Sequence, residues 1–220
     1  MKKLFFLLCS TAILASCGGK KDEDKDKTGD DKMKDEKMAD NKNATPPAMP
    51  DSATMAKNWQ DYMTPGDMHK MLAKGNGNWA ADVTMWEAPG APATKSAGTA
   101  VNKMIMGGLY QESVHTSKMM GMPFSGKSTL GYDNLRKVFV STWIDNMGSG
   151  IMYLEGVMDE TGKTILFTGK TLDPSLGIMV NIRETMRIAD ENTQVMEMFT
   201  TAHGGTEMKT MEIKFTRVKG

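Results

Sequence analysis

Gly77-Asn78-Trp79-Ala80-Ala81-Asp82-Val83-Thr84-Met85 puts Trp79, Ala81, Val83 and Met85 on one face and Asp82 and Thr84 on the other. A two-residue period is the mark of a half-buried strand, because successive side chains point to opposite faces of a sheet. Near the far end of the chain Met211, Ile213 and Phe215 repeat the pattern, and Arg217 closes it. Between these two runs Ile178, Val180, Ile182, Met186 and Ile188 alternate against Asn181, Arg183, Thr185 and Arg187.

The runs are separated by turn chemistry: Ala88-Pro89-Gly90, Gly107-Gly108, Asp133-Asn134, Asp145-Asn146-Met147-Gly148, Asp159-Glu160-Thr161-Gly162, Asp173-Pro174, Asp190-Glu191-Asn192 and His203-Gly204-Gly205. Gly and Asn tolerate the positive φ angles that tight hairpins require. About ten strands follow from this punctuation, near 77–87, 96–105, 109–118, 124–133, 137–145, 149–159, 163–170, 177–189, 193–202 and 206–218. No helical run between them is long enough for a parallel crossover, so neighbours pair antiparallel. A sheet with one dry face removes its edges most economically by closing, and the expected fold is all-β: a single antiparallel barrel.

Gly77-x-Trp79 on the first strand and Arg217 on the last resemble the pattern of lipocalin-like (calycin) barrels. That resemblance implies an arginine lying across the indole at the closed end, which is physically sound: a guanidinium stacks on Trp while donating to free strand-end carbonyls. A closer resemblance runs over residues 59–218. Thr64-Pro65-Gly66 with His69 and Leu72, Gly77-Asn78-Trp79, Gly107-Gly108, Pro123-Phe124-Ser125-Gly126, Gly131-Tyr132-Asp133-Asn134, Trp143-Ile144-Asp145, Asp173-Pro174 and Met211 to Arg217 look like the bacterial domain-of-unknown-function family DUF1579. Leu109 and Tyr110 depart from the basic-then-aromatic pair that family shows after its double glycine. The resemblance implies no activity.

The N-terminus carries a different message. Lys2 and Lys3 precede an apolar stretch from Leu4 to Leu14 that is too short to span a bilayer, as in an export signal. Leu14-Ala15-Ser16-Cys17 resembles the lipobox of bacterial lipoproteins, which implies cleavage after residue 16, a diacylated Cys17 and a membrane partner. Gly18 after Cys17 is not the aspartate associated with inner-membrane retention, so the expected location is the outer membrane of a Gram-negative bacterium. Residues 17–52 mix both charge signs with few large apolar side chains and read as a solvated tether. The lysine and acid block after Cys17 resembles surface-export signals of some lipoproteins and equally suits a plain spacer, leaving surface-facing and periplasm-facing readings open. Residues 53–74 read as helical, with Met55, Trp59 and Tyr62 or Met63 at helical spacing, a break at Thr64-Pro65-Gly66, and Thr64 placed to cap the next helix. Residues 75–220 form the barrel.

Formal charge is zero, from 27 basic and 27 acidic side chains, which gives no bulk pull toward nucleic acid. Phosphate-binding loops, nucleophile elbows and zinc helix motifs are missing from the sequence, and no cofactor is expected. His69, His115 and His203 stand in separate elements, so no metal site is predicted. His69 reads as a structural residue. The 23 methionines, Met119-Met120-Gly121-Met122 among them, suit Cu(I) in principle, yet most stand where Leu or Ile would serve as core.

Glu184 is the most informative residue, because it lies on the apolar face of its run between Ile182 and Met186, where a carboxylate is costly unless paired or wet. A two-residue turn at Asp190-Glu191 would set it opposite Glu197, giving the acid pair of a hydrolase; the other reading makes Glu184 a structural or ligand contact. Phe124, Leu130 and Tyr132 share a face with Gly126 and Ser128 and are predicted to line a cavity with Glu184, Met186 and Ile213. The favoured function is a barrel that binds a small apolar or amphipathic molecule. The alternatives are a hydrolase using Glu184 and Glu197, or a structural envelope protein with a filled core.

Overall fold

The computed structural model describes residues 48–119, 121–201 and 205–219. The signal segment 1–16, Cys17, most of the tether and His203 lie outside the described residues. Residues 49–220 form one compact unit, whose described residues make two short α-helices, one 3-10 turn at Met106–Gly108 and ten strands.

The helices come first. Asp51 accepts from the Thr54 amide at 2.7 Å and starts α1, Ser52–Met63, which buries none of its residues. Pro65 ends the run, and α2 spans Asp67–Ala73. Thr64 does not cap α2; its hydroxyl turns back to donate to the Gln60 carbonyl at 2.6 Å. The amide at the start of α2, that of Gly66, instead donates to Nδ1 of His69 at 3.0 Å. His69 is buried, with Tyr132 edge-on at 6.1 Å between ring centres, and burial holds its pKa below the ordinary value. Its role is to fix the start of a helix.

The strands are β1 (Gly77–Met85), β2 (Thr94–Ile105), β3 (Tyr110–Met119), β4 (Met122–Asp133), β5 (Val138–Asp145), β6 (Met152–Met158), β7 (Thr164–Asp173), β8 (Ile178–Asp190), β9 (Thr193–Thr201) and β10 (Met208–Arg217). Each pairs antiparallel with the next, and β1 pairs with β10 to close the barrel. Closure satisfies the strand edges that would otherwise invite pairing with another chain. The seam register sets Trp79 against Arg217, Ala81 against Phe215 and Val83 against Ile213, so the dry faces of the first and last strands meet inside.

Two packed clusters of buried side chains form the core inside the ring. Phe139, Leu154, Ile165, Phe167, Val180 and Ile182 form one, sealed by Leu72 of α2 with Met68 and Met71 beside it. Trp79, Ala81, Ala100, Met196, Ile213 and Phe215 form the other. Helix α2 thus covers one end of the barrel. Asn134, in the β4–β5 turn, holds the preceding loop by donating to the carbonyls of Thr64 at 2.8 Å and Asp61 at 3.0 Å.

Candidate functional site

The closed end is built around Trp79. Its ring is buried, and its indole N–H donates to the Gly75 carbonyl at 2.9 Å. The Arg217 guanidinium lies 4.3 Å from the ring centre and donates to three carbonyls, those of Asn76 at 2.5 Å, Lys74 at 2.7 Å and Glu191 at 2.9 Å. One cation therefore joins the link after α2, the β8–β9 turn and the last strand. Gly77 sits at φ 122°, a conformation that calls for glycine, and a Cβ there would also stand 3.0 Å from the guanidinium and press on it.

At the other end the lumen opens into a cavity of about 390 Å³, within the range of small-molecule pockets. One wall is aromatic: Phe124 and Trp143 stack at 6.3 Å and 20°, and His115 stands edge-on to Trp143 at 5.1 Å and to Phe215 at 5.8 Å. Gly126 makes this wall possible, because a Cβ at that position would fall 2.2 Å from the Trp143 ring. The facing wall carries Glu184, Met186 and Met198, with Phe167 below. Met85, Met119, Met147, Met152 and Met211 add thioethers toward the mouth. Flexible, polarisable side chains of this kind line an adaptable pocket at little cost.

A second, more polar space of about 870 Å³ lies toward α2, and His115, Ser128, Leu130, Met186 and Phe215 border both. A hydrogen-bond chain runs through the polar side. The Asn102 amide nitrogen donates to the Gly75 carbonyl at 3.1 Å, which turns its oxygen toward Ser113, and Ser113 donates to that oxygen at 2.5 Å. With its proton so used, the Ser113 oxygen accepts from His115 Nε2 at 2.8 Å. His115 is therefore the Nε2–H tautomer, and its Nδ1 is left as a bare acceptor. Burial drives its pKa down to about 4, so the ring is neutral at physiological pH.

Glu184 has no hydrogen-bond or ion-pair partner among the described residues. No fully enclosed polar side-chain atom lacks a partner, so its oxygens are open to the cavity. By accessible surface Glu184 is half-buried, and it borders that space. Desolvation alone raises its pKa from 4.5 to about 7. The strand order places β3 and β8 five strands apart in either direction around the ring of ten, so His115 and Glu184 occupy opposite walls.

Two expected placements are corrected. Glu197 does not face Glu184: the hairpin turns at Glu191-Asn192 and the ladder shifts between Ile188 and Asp190. Glu184 therefore pairs with Met198, and Glu197 pairs with Thr185. A one-residue slip moves a side chain to the other face, and Glu197 lies outside, where Lys209 binds it at 2.5 Å and also bridges to Glu212. Tyr132 does not line the cavity either. It packs edge-on to Phe139 at 4.9 Å in the layer beneath α2. Phe124, Leu130, Glu184, Met186 and Ile213 do border the cavity. In the methionine cluster Met119 turns into the cavity while Met122 is exposed, and Met120 lies outside the described residues. Among the described residues no three His, Cys, Asp or Glu side chains converge on a point.

The family model described as "Protein of unknown function (DUF1579)" matches residues 64–217. The chain belongs to the DUF1579 family. Its fold is that of lipocalin-like barrels. The crystal structure of Rv2717c from M. tuberculosis superposes with a TM-score of 0.54 at 15% identity, over 71% of this chain and 100% of the other. The S-type phycobiliprotein lyase CPES from Guillardia theta gives 0.51 at 10% identity, over 78% and 99%. No curated protein sequence matches the chain.

Three wall residues of this DUF1579 barrel were not singled out from the sequence as cavity residues: His115, Trp143 and Phe215. A signal for them existed. Gly126 and Trp143 lie on paired strands, His115 is the ladder partner of Gly126, and a strand glycine commonly marks the place where a large ring crosses a neighbour.

Proposed function

We propose that this barrel binds a small apolar or amphipathic molecule in its lumen, and that the protein is held at the outer membrane of a Gram-negative bacterium through lipidated Cys17. The observation that carries the binding reading is Glu184: a carboxyl without a hydrogen-bond or ion-pair partner among the described residues, desolvated inside an apolar cavity of about 390 Å³. A carboxyl in that setting costs stability, and a filled structural core has no use for it. A few fixed polar groups in an otherwise apolar pocket are the usual means of orienting a ligand. The likeness in fold to lipocalin-like barrels supports the reading. The hydrolase alternative has lost its second carboxylate to the outer face.

The anchor reading rests on Leu14-Ala15-Ser16-Cys17 and on the charged segment that follows. Acyl chains on Cys17 give stable attachment while the domain stays in water. The lysine and acid block is compatible with either side of the outer membrane.

Native mass spectrometry of the protein isolated from its own envelope tests the binding reading. A stoichiometric small molecule in the lumen is expected. A protein that comes out empty and takes up no apolar probe refutes it. Fractionation tests the anchor: Cys17→Ser is expected to leave the membrane fraction, and its persistence there refutes lipidation.

A further inference from the structure

The charged side chains that border the apolar cavity have one sign in common. Among the described residues that border the cavity there is no lysine and no arginine, whereas Glu184 and Asp145 both border it. Neither ring N–H group of the wall is free to donate. His115 offers the bare Nδ1, because its Nε2–H is spent on Ser113. Trp143 has the only indole N–H in the wall, and it is spent on Asp145 at 2.7 Å. The hydroxyl residues Ser96, Thr99, Thr116, Ser117, Ser128 and Ser141 also border the cavity, but they carry no charge. The remaining polar surface consists of aromatic faces, which are themselves electron-rich.

An anionic amphiphile entering this space would meet a second carboxylate and no cation. A positively charged nitrogen would meet a carboxyl with no competing partner among the described residues, and it would stabilise the ionised form that burial disfavours. We propose that the lumen selects apolar molecules bearing a protonated amine, with Glu184 as the counter-ion and the aromatic and methionine walls holding the hydrocarbon. This deepens the binding reading above and rests on it. The neighbours of Glu184 do not compete for the cation. Its ladder partners are Phe167 and Met198, and the other titratable groups bordering the same cavity are His115, which is neutral, and Asp145 at the mouth; Lys74, Lys163, Asp190, Glu191 and Arg217 border only the second space toward α2. Because the Glu184 carboxyl titrates near 7 in the empty protein, seating a cation on it near neutral pH expels a proton.

The test uses three molecules of equal chain length, octylamine, octanol and octanoate, against the chain expressed without its leader through Cys17. Calorimetry at pH 6.5 in two buffers of different ionisation enthalpy measures affinity and proton release together. Octylamine is expected to bind about tenfold tighter than octanoate, with proton release that octanol does not show. In Glu184→Gln the amine loses about tenfold and its proton release, while octanol binding is retained and reports that the cavity is intact. Octanoate binding as tightly as octylamine, or octylamine binding unchanged in Glu184→Gln, overturns the selectivity and leaves the binding module standing. Failure of all three molecules to bind overturns the binding module and the selectivity with it.

Discussion

Replacing Glu184 by Gln keeps the shape of the side chain and removes its ionisation, so the difference in stability between the two proteins isolates one titration. In the native barrel the carboxyl titrates near 7, against 4.5 for the free side chain. Below pH 4.5 it is protonated whether the chain is folded or not, and the pH dependence from this group vanishes. Between 4.5 and 7 the native state holds a proton that the unfolded chain has released, so stability falls as pH rises. Above 7 the folded protein carries the full cost of a buried carboxylate, about 3 kcal/mol by the same linkage, with water in the lumen working to reduce it. His115 acts in the opposite direction. Its pKa of about 4 lies below the unfolded value of 6.5, so it favours folding increasingly as pH rises from 4 to 6.5. The two slopes partly cancel in the native sequence, and this masks Glu184 in a single pH profile. Urea unfolding of both proteins from pH 4 to 8.5 separates them. Glu184→Gln should match the parent near pH 4.5, gain steadily through neutrality and level off about 2–3 kcal/mol more stable above pH 7.5. A pH-independent difference, or a glutamine variant less stable at pH 8, refutes the account of a partnerless buried carboxyl.

Arg217→Ala removes three hydrogen bonds and the cation over Trp79; a loss of about 2–4 kcal/mol is expected. Arg217→Lys should recover only part of it, because an ammonium lacks the planar fork, and full recovery in thermal unfolding would count against the plug. Gly126→Ala drives a methyl into the Trp143 ring, so about 1–3 kcal/mol should be lost, together with a shift in tryptophan emission. Unaltered emission would mean that Trp143 does not cross Gly126 inside the barrel.

The alternation of Trp79, Ala81, Val83 and Met85 and its echo in Met211, Ile213 and Phe215 could be read as strands because a pleated backbone imposes a two-residue period on whatever faces a core. Glu184 could be marked as unusual for the same reason: parity placed it among apolar neighbours without any knowledge of what lay opposite. The acid pair failed on a point that parity does not reach. Cross-strand partners depend on which residues make the turn and on whether the ladder bulges, and the turn at Glu191-Asn192 with the shift beside Asp190 moved Glu197 to the outside. Tyr132 failed for a related reason, since its face was correct and only its height in the barrel, under α2, decided that it packs instead of lining the cavity.

The sequence by itself determined the local and periodic properties: strands, turns, the helix break at Pro65 and the two residues that close the barrel. These depend on neighbours a few positions apart, where backbone sterics and solvation act without reference to the rest of the chain. Only the tertiary structure decided which side chains share the lumen. His115 and Glu184 are 69 residues apart in sequence and on opposite walls in space, and they border one cavity because closure of the ring brings β3 and β8 to face each other. That juxtaposition is a property of the closed register, which arises from the sum of ten pairings and from no one of them.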